Sequence, residues 1–199
     1  GVSVSSGIFM TNNFTIDGGT VTATGGTAGG KAGLSAGIYI GGSDSIVMVN
    51  GGTVKSTGGA DSAVSAGIYA SVYDNNEGKE PNVNVTTNGG TVEITGVNYG
   101  AKIEGTFTVA GGEVTVAATG SSGKAIETDS VKISPTAPQL ISVMAGASAE
   151  TAVPVEGSSF SKETTLKKTD YNSSAYFKAW PVDPVAVTIT GDGNVTYGD

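Results

Sequence analysis

Apolar and polar positions alternate along this chain in short runs, and the runs recur at matching offsets. Three segments open with Gly-Ile-aromatic: Gly7-Ile8-Phe9, Gly37-Ile38-Tyr39 and Gly67-Ile68-Tyr69, each 30 residues after the last. Each is followed by a paired-glycine signature: Asp17-Gly18-Gly19-Thr20-Val21, Asn50-Gly51-Gly52-Thr53-Val54 and Asn88-Gly89-Gly90-Thr91-Val92. A shorter fourth copy runs from Ala101-Lys102-Ile103 to Ala110-Gly111-Gly112-Glu113-Val114, and a fainter fifth carries Ala125, Ile126, Val131, Ile133, Ile141 and Val143.

Aligned on the paired glycines, Phe14, Val47, Val85 and Phe107 share one position, and Ile16, Val49, Thr87 and Val109 the position two residues later. After the glycines, Val21, Val54, Val92 and Val114 align, followed by Ala23, Ser56, Ile94 and Val116. The intervening positions are mostly Thr, Lys or Glu. This is the period-2 pattern of half-buried strands. One such unit cannot bury its apolar face alone, whereas units stacked about 4.8 Å apart pair every backbone group and form one core. The predicted fold is therefore all-β: a right-handed parallel β-helix, a three-faced β-solenoid of about five coils. The alternative is a β-sandwich of hairpins, which gives no reason for identical residues at matching offsets. Insertions at 25–36, 58–66 and 74–81 are expected to protrude as corner loops.

The pattern breaks at Pro135 and Pro138 and the composition shifts after Glu150. We divide the chain into a parallel β-helix over 1–149, a C-terminal β capping and side-packing segment over 150–180, and 181–199. The last stretch reads as a linker at Pro181 and Pro184, then the truncated first strand of a following module.

Composition agrees with strands and tight turns. Gly supplies 32 of 199 residues, above the ordinary share of roughly 7%. Net charge is −8, every basic residue is Lys, and Cys and His are absent. Phosphate backbones and anionic membranes would repel such a surface, so nucleic acid is excluded as a partner. No apolar run is long enough to span a bilayer. Thiolate and disulfide chemistry are also excluded.

The run GGTVTATGG at 18–26 and the Ala-Gly-Ile-Tyr corners at 36–39 and 66–69 resemble repeat regions of large cell-surface proteins from Gram-positive gut bacteria. Those regions are similar to carbohydrate-binding β-solenoid domains and adhesins. Val187–Gly191 through Thr196–Asp199 resembles the opening of the Ig-like or mucin-binding-type modules that follow them. The resemblance implies an extracellular, cell-surface or wall-associated adhesin-type domain, and it matches no family binding residue position by position.

Candidate chemistry is sparse. Phe9, Tyr39 and Tyr69 each follow the inward Ile, so they should form an outward aromatic ladder with Lys102 next in line. Such a strip suits the apolar faces of sugar rings. The favoured reading, however, is that the C-terminal segment, rich in its own aromatics, lies over the ladder and buries it. The insertion Asp74-Asn75-Asn76-Glu77-Gly78-Lys79-Glu80 offers oxygen ligands of the kind calcium takes, with Asp74, Asn76, Glu77 and Glu80 as candidates. It lacks the spacing of a known calcium loop; Asp44 and Asp61 are further ligands only if their corners coincide. No cofactor is required.

Gly25–Lys31 resembles a phosphate-binding loop, but Ala32 stands where Ser or Thr is needed, so it reads as a corner insertion. Asp17, Asn50 and Asn88 are expected to form a polar ladder that satisfies turn amides. Lys55 and Glu93 are positioned to pair between coils. Catalysis is disfavoured: no Arg or His is present, the coil lysines do not cluster, and Glu93 and Glu113 fall at different offsets. A polysaccharide lyase is thus the least favoured reading. The expected function is binding of a polysaccharide or cell-surface glycan by a monomer, with a non-binding stalk as the alternative.

Overall fold

The computed structural model describes residues 3–27, 33–60, 62–71, 82–157 and 159–183, and the backbone of 187–189 and 195–197. The chain is all-β, and among the described residues the only helical turn is a 3-10 turn at Lys168–Asp170. The first repeat supplies β1 (Val4–Met10), β2 (Phe14–Ile16) and β3 (Thr20–Thr24). The second supplies β4 (Leu34–Ile40), β5 (Ile46–Val49) and β6 (Thr53–Thr57), and the third β7 (Val64–Ala70), β8 (Val83–Thr87) and β9 (Thr91–Gly96). In the fourth, the first two runs fuse into β10 (Tyr99–Val109), followed by β11 (Glu113–Ala118). The fifth gives β12 (Lys124–Ile133) and β13 (Leu140–Gly146).

Like runs stack on like. β1, β4, β7, β10 and β12 pair in parallel, as do β2, β5, β8 and β10, while β3, β6, β9 and β11 form a third parallel stack. The first two stacks share one sheet because β10 and β12 run through both. The register is the one set by the paired glycines: Phe14, Val47, Val85, Phe107 and Val131 lie one above another, as do Val21, Val54, Val92 and Val114. These residues fill one continuous core. Polar residues among them are satisfied by backbone carbonyls: Ser56 donates to Gly67 O at 2.8 Å, Thr87 to Thr108 O at 3.4 Å and Thr128 to Gly105 O at 2.7 Å.

Both glycine signatures have steric causes. The second glycine of each pair has φ between 77° and 82°, and a Cβ on Gly112 would lie 2.5 Å from Gly90 O of the preceding unit. The glycine before each Ile lies where the first stack touches the third. A Cβ on Gly67 would come within 2.5 Å of Ile94 Cγ2 and 2.7 Å of Thr95 N. Gly67→Ala should therefore cost about 1–3 kcal/mol, measured by urea denaturation. Gly18→Ala, whose Cβ would meet nothing within 4 Å, should stay within about 0.5 kcal/mol of the parent.

Four expectations need correction. First, Leu34–Ala36 and Val64–Ala66 are not loop but the opening residues of β4 and β7, paired in register. They are held by the buried Ser35 and Ser65: Ser35 donates to Gly26 O at 2.7 Å and accepts from Gly59 N at 2.8 Å, and Ser65 accepts from Val97 N at 3.1 Å. Second, the third run of the fifth repeat does not stack on the fourth. β16 (Tyr176–Val182) enters between β11 and β13, antiparallel to both, with Phe177 buried opposite Val116 and Ala145. Third, Pro181 lies within that strand, opposite Ile141, and is not linker. Fourth, β17 (Val187–Ile189) and β18 (Val195–Tyr197) pair with each other as an antiparallel hairpin, so this stretch is not one lone strand. β14 (Val153–Pro154) pairs with β13 and β15 (Thr164–Thr165) with β12, and Val155, Phe160, Leu166 and Tyr171 join the core.

Candidate functional site

The aromatic ladder forms as the repeat implies. Phe9, Tyr39 and Tyr69 occupy one register position, with Lys102 and then Glu127 continuing the row. Ser35 and Gly37 turn toward the third stack and Ile38 and Ile40 toward the core. Tyr39 lies in a separate apolar cluster with Leu34, Ala36, Val64 and Tyr69. Ring centroids are 5.5 Å apart between Phe9 and Tyr39 and 5.9 Å between Tyr39 and Tyr69, with both pairs within 9° of parallel. These are offset-stacked separations.

Exposure differs sharply along the row. Phe9 is 59% exposed, Tyr69 is half-buried, and Tyr39 is only 4% exposed. The C-terminal aromatics are committed elsewhere: Phe160, Tyr171 and Phe177 to the core, Tyr176 and Trp180 to β16 in the third-stack sheet. Tyr39 is thus sandwiched between its ladder neighbours, and the ladder is a flat open strip only at Phe9. Burial pushes the Tyr69 hydroxyl above its ordinary value.

The fourth rung is also engaged. Lys102 Nζ lies 2.9 Å from Glu127 Oε1 and 4.9 Å from the centre of the Tyr99 ring, and Lys124 reaches Glu127 Oε2 at 2.8 Å. Burial opposes the charge on Glu127, but hydrogen bonds from Lys124 and Lys102 outweigh it and hold the carboxyl below its usual 4.5. Burial likewise opposes the charge on Lys102, and Glu127 more than offsets it, raising that ammonium. A depressed carboxyl contributes stability above its unfolded pKa and loses it as pH falls through the folded value. Wild type should therefore exceed Glu127→Gln by on the order of 1 kcal/mol at pH 7, with the gap closing as pH drops below about 4, followed by thermal denaturation across pH.

Where β1 and β4 end, their following turns enclose an open groove of about 510 Å³ lined by Thr11, Asn12, Asn13, Ser43, Asp44 and Ser45. Gly41 joins it to the ladder: a Cβ there would lie 3.2 Å from the Tyr39 ring and 3.6 Å from the Phe9 ring. Two bonds fix the groove across repeats. Ile46 N donates to Asn13 Oδ1 at 2.9 Å, and Ser45 donates to Thr11 O at 3.3 Å. Sequence reasoning passed over this groove because its two walls share no repeated residue.

The amide ladder also forms, with its side chains bonded to one another: Asn50 Nδ2 donates to Asp17 Oδ1 and Asn88 Nδ2 to Asn50 Oδ1, each at 2.7 Å. Lys55 pairs with Glu93 at 3.5 Å, and Glu113 pairs with Lys178 at 2.6 Å. The calcium candidates Asp74, Asn76, Glu77 and Glu80, along with Asp61 and most of the phosphate-loop-like segment, lie outside the described residues. Among the described residues no group of three acidic side chains is gathered for a metal, and no helix is long and apolar enough to cross a membrane. No protein-family model, curated protein or solved structure matches the chain.

Proposed function

We propose that this chain is a non-catalytic, cell-surface adhesin-type module that binds carbohydrate at the exposed Phe9 ring of its aromatic ladder. On this reading the parallel stacks are the faces of a right-handed parallel β-helix of about five coils. One observation carries the binding assignment: the Phe9 ring is more than half exposed while one of its faces is braced against Tyr39. A ring held that way meets the apolar face of a sugar without losing rotamer freedom on binding. The surface charge of −8 and the absence of Arg fit an uncharged polymer better than a polyanion.

The test is a screen of the purified chain against plant, mucin and bacterial polysaccharides, run with calcium and with a chelator. Saturable binding that falls at least tenfold in Phe9→Ala, with the denaturation midpoint nearly unchanged, is the expected result. Absence of binding to every glycan would sink the assignment. Loss on chelation with no effect of Phe9→Ala would move the site to the acidic insertion at 74–80.

A stalk that only spaces other modules is the second reading. It is favoured by the burial of Tyr39 and the neutralised Lys102, which give two of the four ladder rungs a structural job. A chain that binds no glycan yet unfolds cooperatively would support it.

A further inference from the structure

We infer that the groove between the Thr11–Asn13 and Ser43–Ser45 turns is the hydrogen-bonding half of the glycan site, and that it selects neutral sugars over acidic ones. This rests on the assignment of Phe9 as the stacking platform.

The two features are contiguous. Gly41 lies against the Phe9 and Tyr39 rings, and from there the chain passes through Gly42 directly into the groove wall at Ser43 and Asp44. A Cβ at Gly42 would strike the Thr11 carbonyl, so the two turns are in contact behind the groove. On this inference a sugar stacked on Phe9 extends past the ring edge at Gly41 toward the groove. The volume of about 510 Å³ lies in the range of small-molecule sites, roughly 300–1,000 Å³.

The lining is the chemistry a hydroxyl-rich ligand needs. It offers three hydroxyls, two amides and one carboxylate. Amides and hydroxyls both donate and accept, and a carboxylate accepts from neighbouring sugar hydroxyls through charge-assisted bonds. The wall is partly preorganised, since the Asn13 carbonyl is fixed by Ile46 N–H, leaving its NH₂ to donate, and the Ser45 hydroxyl is held on Thr11 O. Asn12 and Asp44 sit on the exposed crests of the two turns, one from each repeat.

Selectivity follows from charge. Among the described residues, Asp44 is the only charged one lining the groove, and no cation among them lines it. A uronate or sialate carboxylate would enter beside Asp44 with no described cation to neutralise it, at a cost that reads as discrimination. The other cleft at the ladder's charged end, lined by Lys102 and Lys168 together with Glu104, Glu127 and Asp129, has no exposed aromatic platform beside it, and its Lys102 is already paired.

The experiment measures affinity for neutral polysaccharides (a β-glucan, an arabinoxylan, a galactomannan) and acidic ones (polygalacturonate, hyaluronan). Wild type is compared with Asn12→Ala, Asp44→Ala and Phe9→Ala. The expected result is a neutral ligand whose affinity falls at least tenfold in Asp44→Ala and several-fold in Asn12→Ala, with both variants as stable as the parent. Acidic polymers should bind wild type at least tenfold more weakly. A Phe9-dependent neutral ligand that both groove variants hold at full affinity would overturn the inference and leave the Phe9 platform standing. Acidic polymers bound as tightly as neutral ones would overturn the selectivity. Binding of nothing in either class would overturn the platform itself, and the groove assignment with it.

Discussion

Replacing Tyr39 with alanine is expected to destabilise the protein by about 3–4 kcal/mol, a shift of roughly 6–15 °C in thermal midpoint. Its ring is 4% exposed, stacked on both faces at 5.5 and 5.9 Å, and bordered by Leu34 and Ala36. Truncation removes two stacking contacts and opens a cavity that β strands paired on both sides cannot collapse to fill. Phe9→Ala removes a ring that is already 59% exposed, so its cost should stay near 1 kcal/mol. The two substitutions divide the ladder into a structural part and a binding part. Loss of glycan binding in Tyr39→Ala would report lost stability or the lost brace behind Phe9, whereas loss in Phe9→Ala would report the platform itself. Denaturation curves collected beside each binding curve make the separation.

Phe107→Ala is expected to be at least as damaging, at about 3–5 kcal/mol by chemical denaturation. Phe107 has no exposed surface and lies between Val85 and Val131 in the second stack. It is the one large ring in a row otherwise filled by valines above its partly buried counterpart, Phe14. Its strand, β10, belongs to two stacks at once, so strain at Phe107 is transmitted to the pairing of β7 as well as β8. Phe14→Ala, at the open edge of the same row, should cost distinctly less.

Much of this fold was legible in the chain because a stack of repeats writes its register into the sequence. The paired glycines mark a corner where only positive φ fits, and the inward positions of the runs on either side can be counted from them. The separate Gly-Ile-aromatic motif places Phe9, Tyr39, Tyr69 and Lys102 in one row. What it could not give was burial. Tyr39 and Phe9 hold equivalent places in the repeat, and they differ only because one has a neighbouring unit on each side and the other lies on an edge strand.

Features without a repeat were harder to read. β16 alternates correctly, with Phe177 and Ala179 inward and Lys178 and Trp180 outward, but nothing local says that it enters between the fourth and fifth repeats. That choice is decided by tertiary fit: Phe177 fills the space between Val116 and Ala145, and Lys178 finds Glu113. The serines at 35 and 65 read as loop because they fall in the insertions that lengthen their repeats beyond the shortest unit, yet each one closes a corner through backbone bonds. The polar groove draws Asn12 and Asp44 from turns of unlike sequence, and a comparison of repeats passes over residues that do not recur.

Hydroxyl-radical footprinting of the aromatic row, with and without a bound glycan, separates the exposed platform from the buried ring. Phe9 should be oxidised readily in the free protein and protected when glycan binds, while Tyr39 resists oxidation in both states. Tyr39 reacting as fast as Phe9 in the folded protein, or Phe9 remaining fully reactive under saturating glycan, would contradict this division of the row.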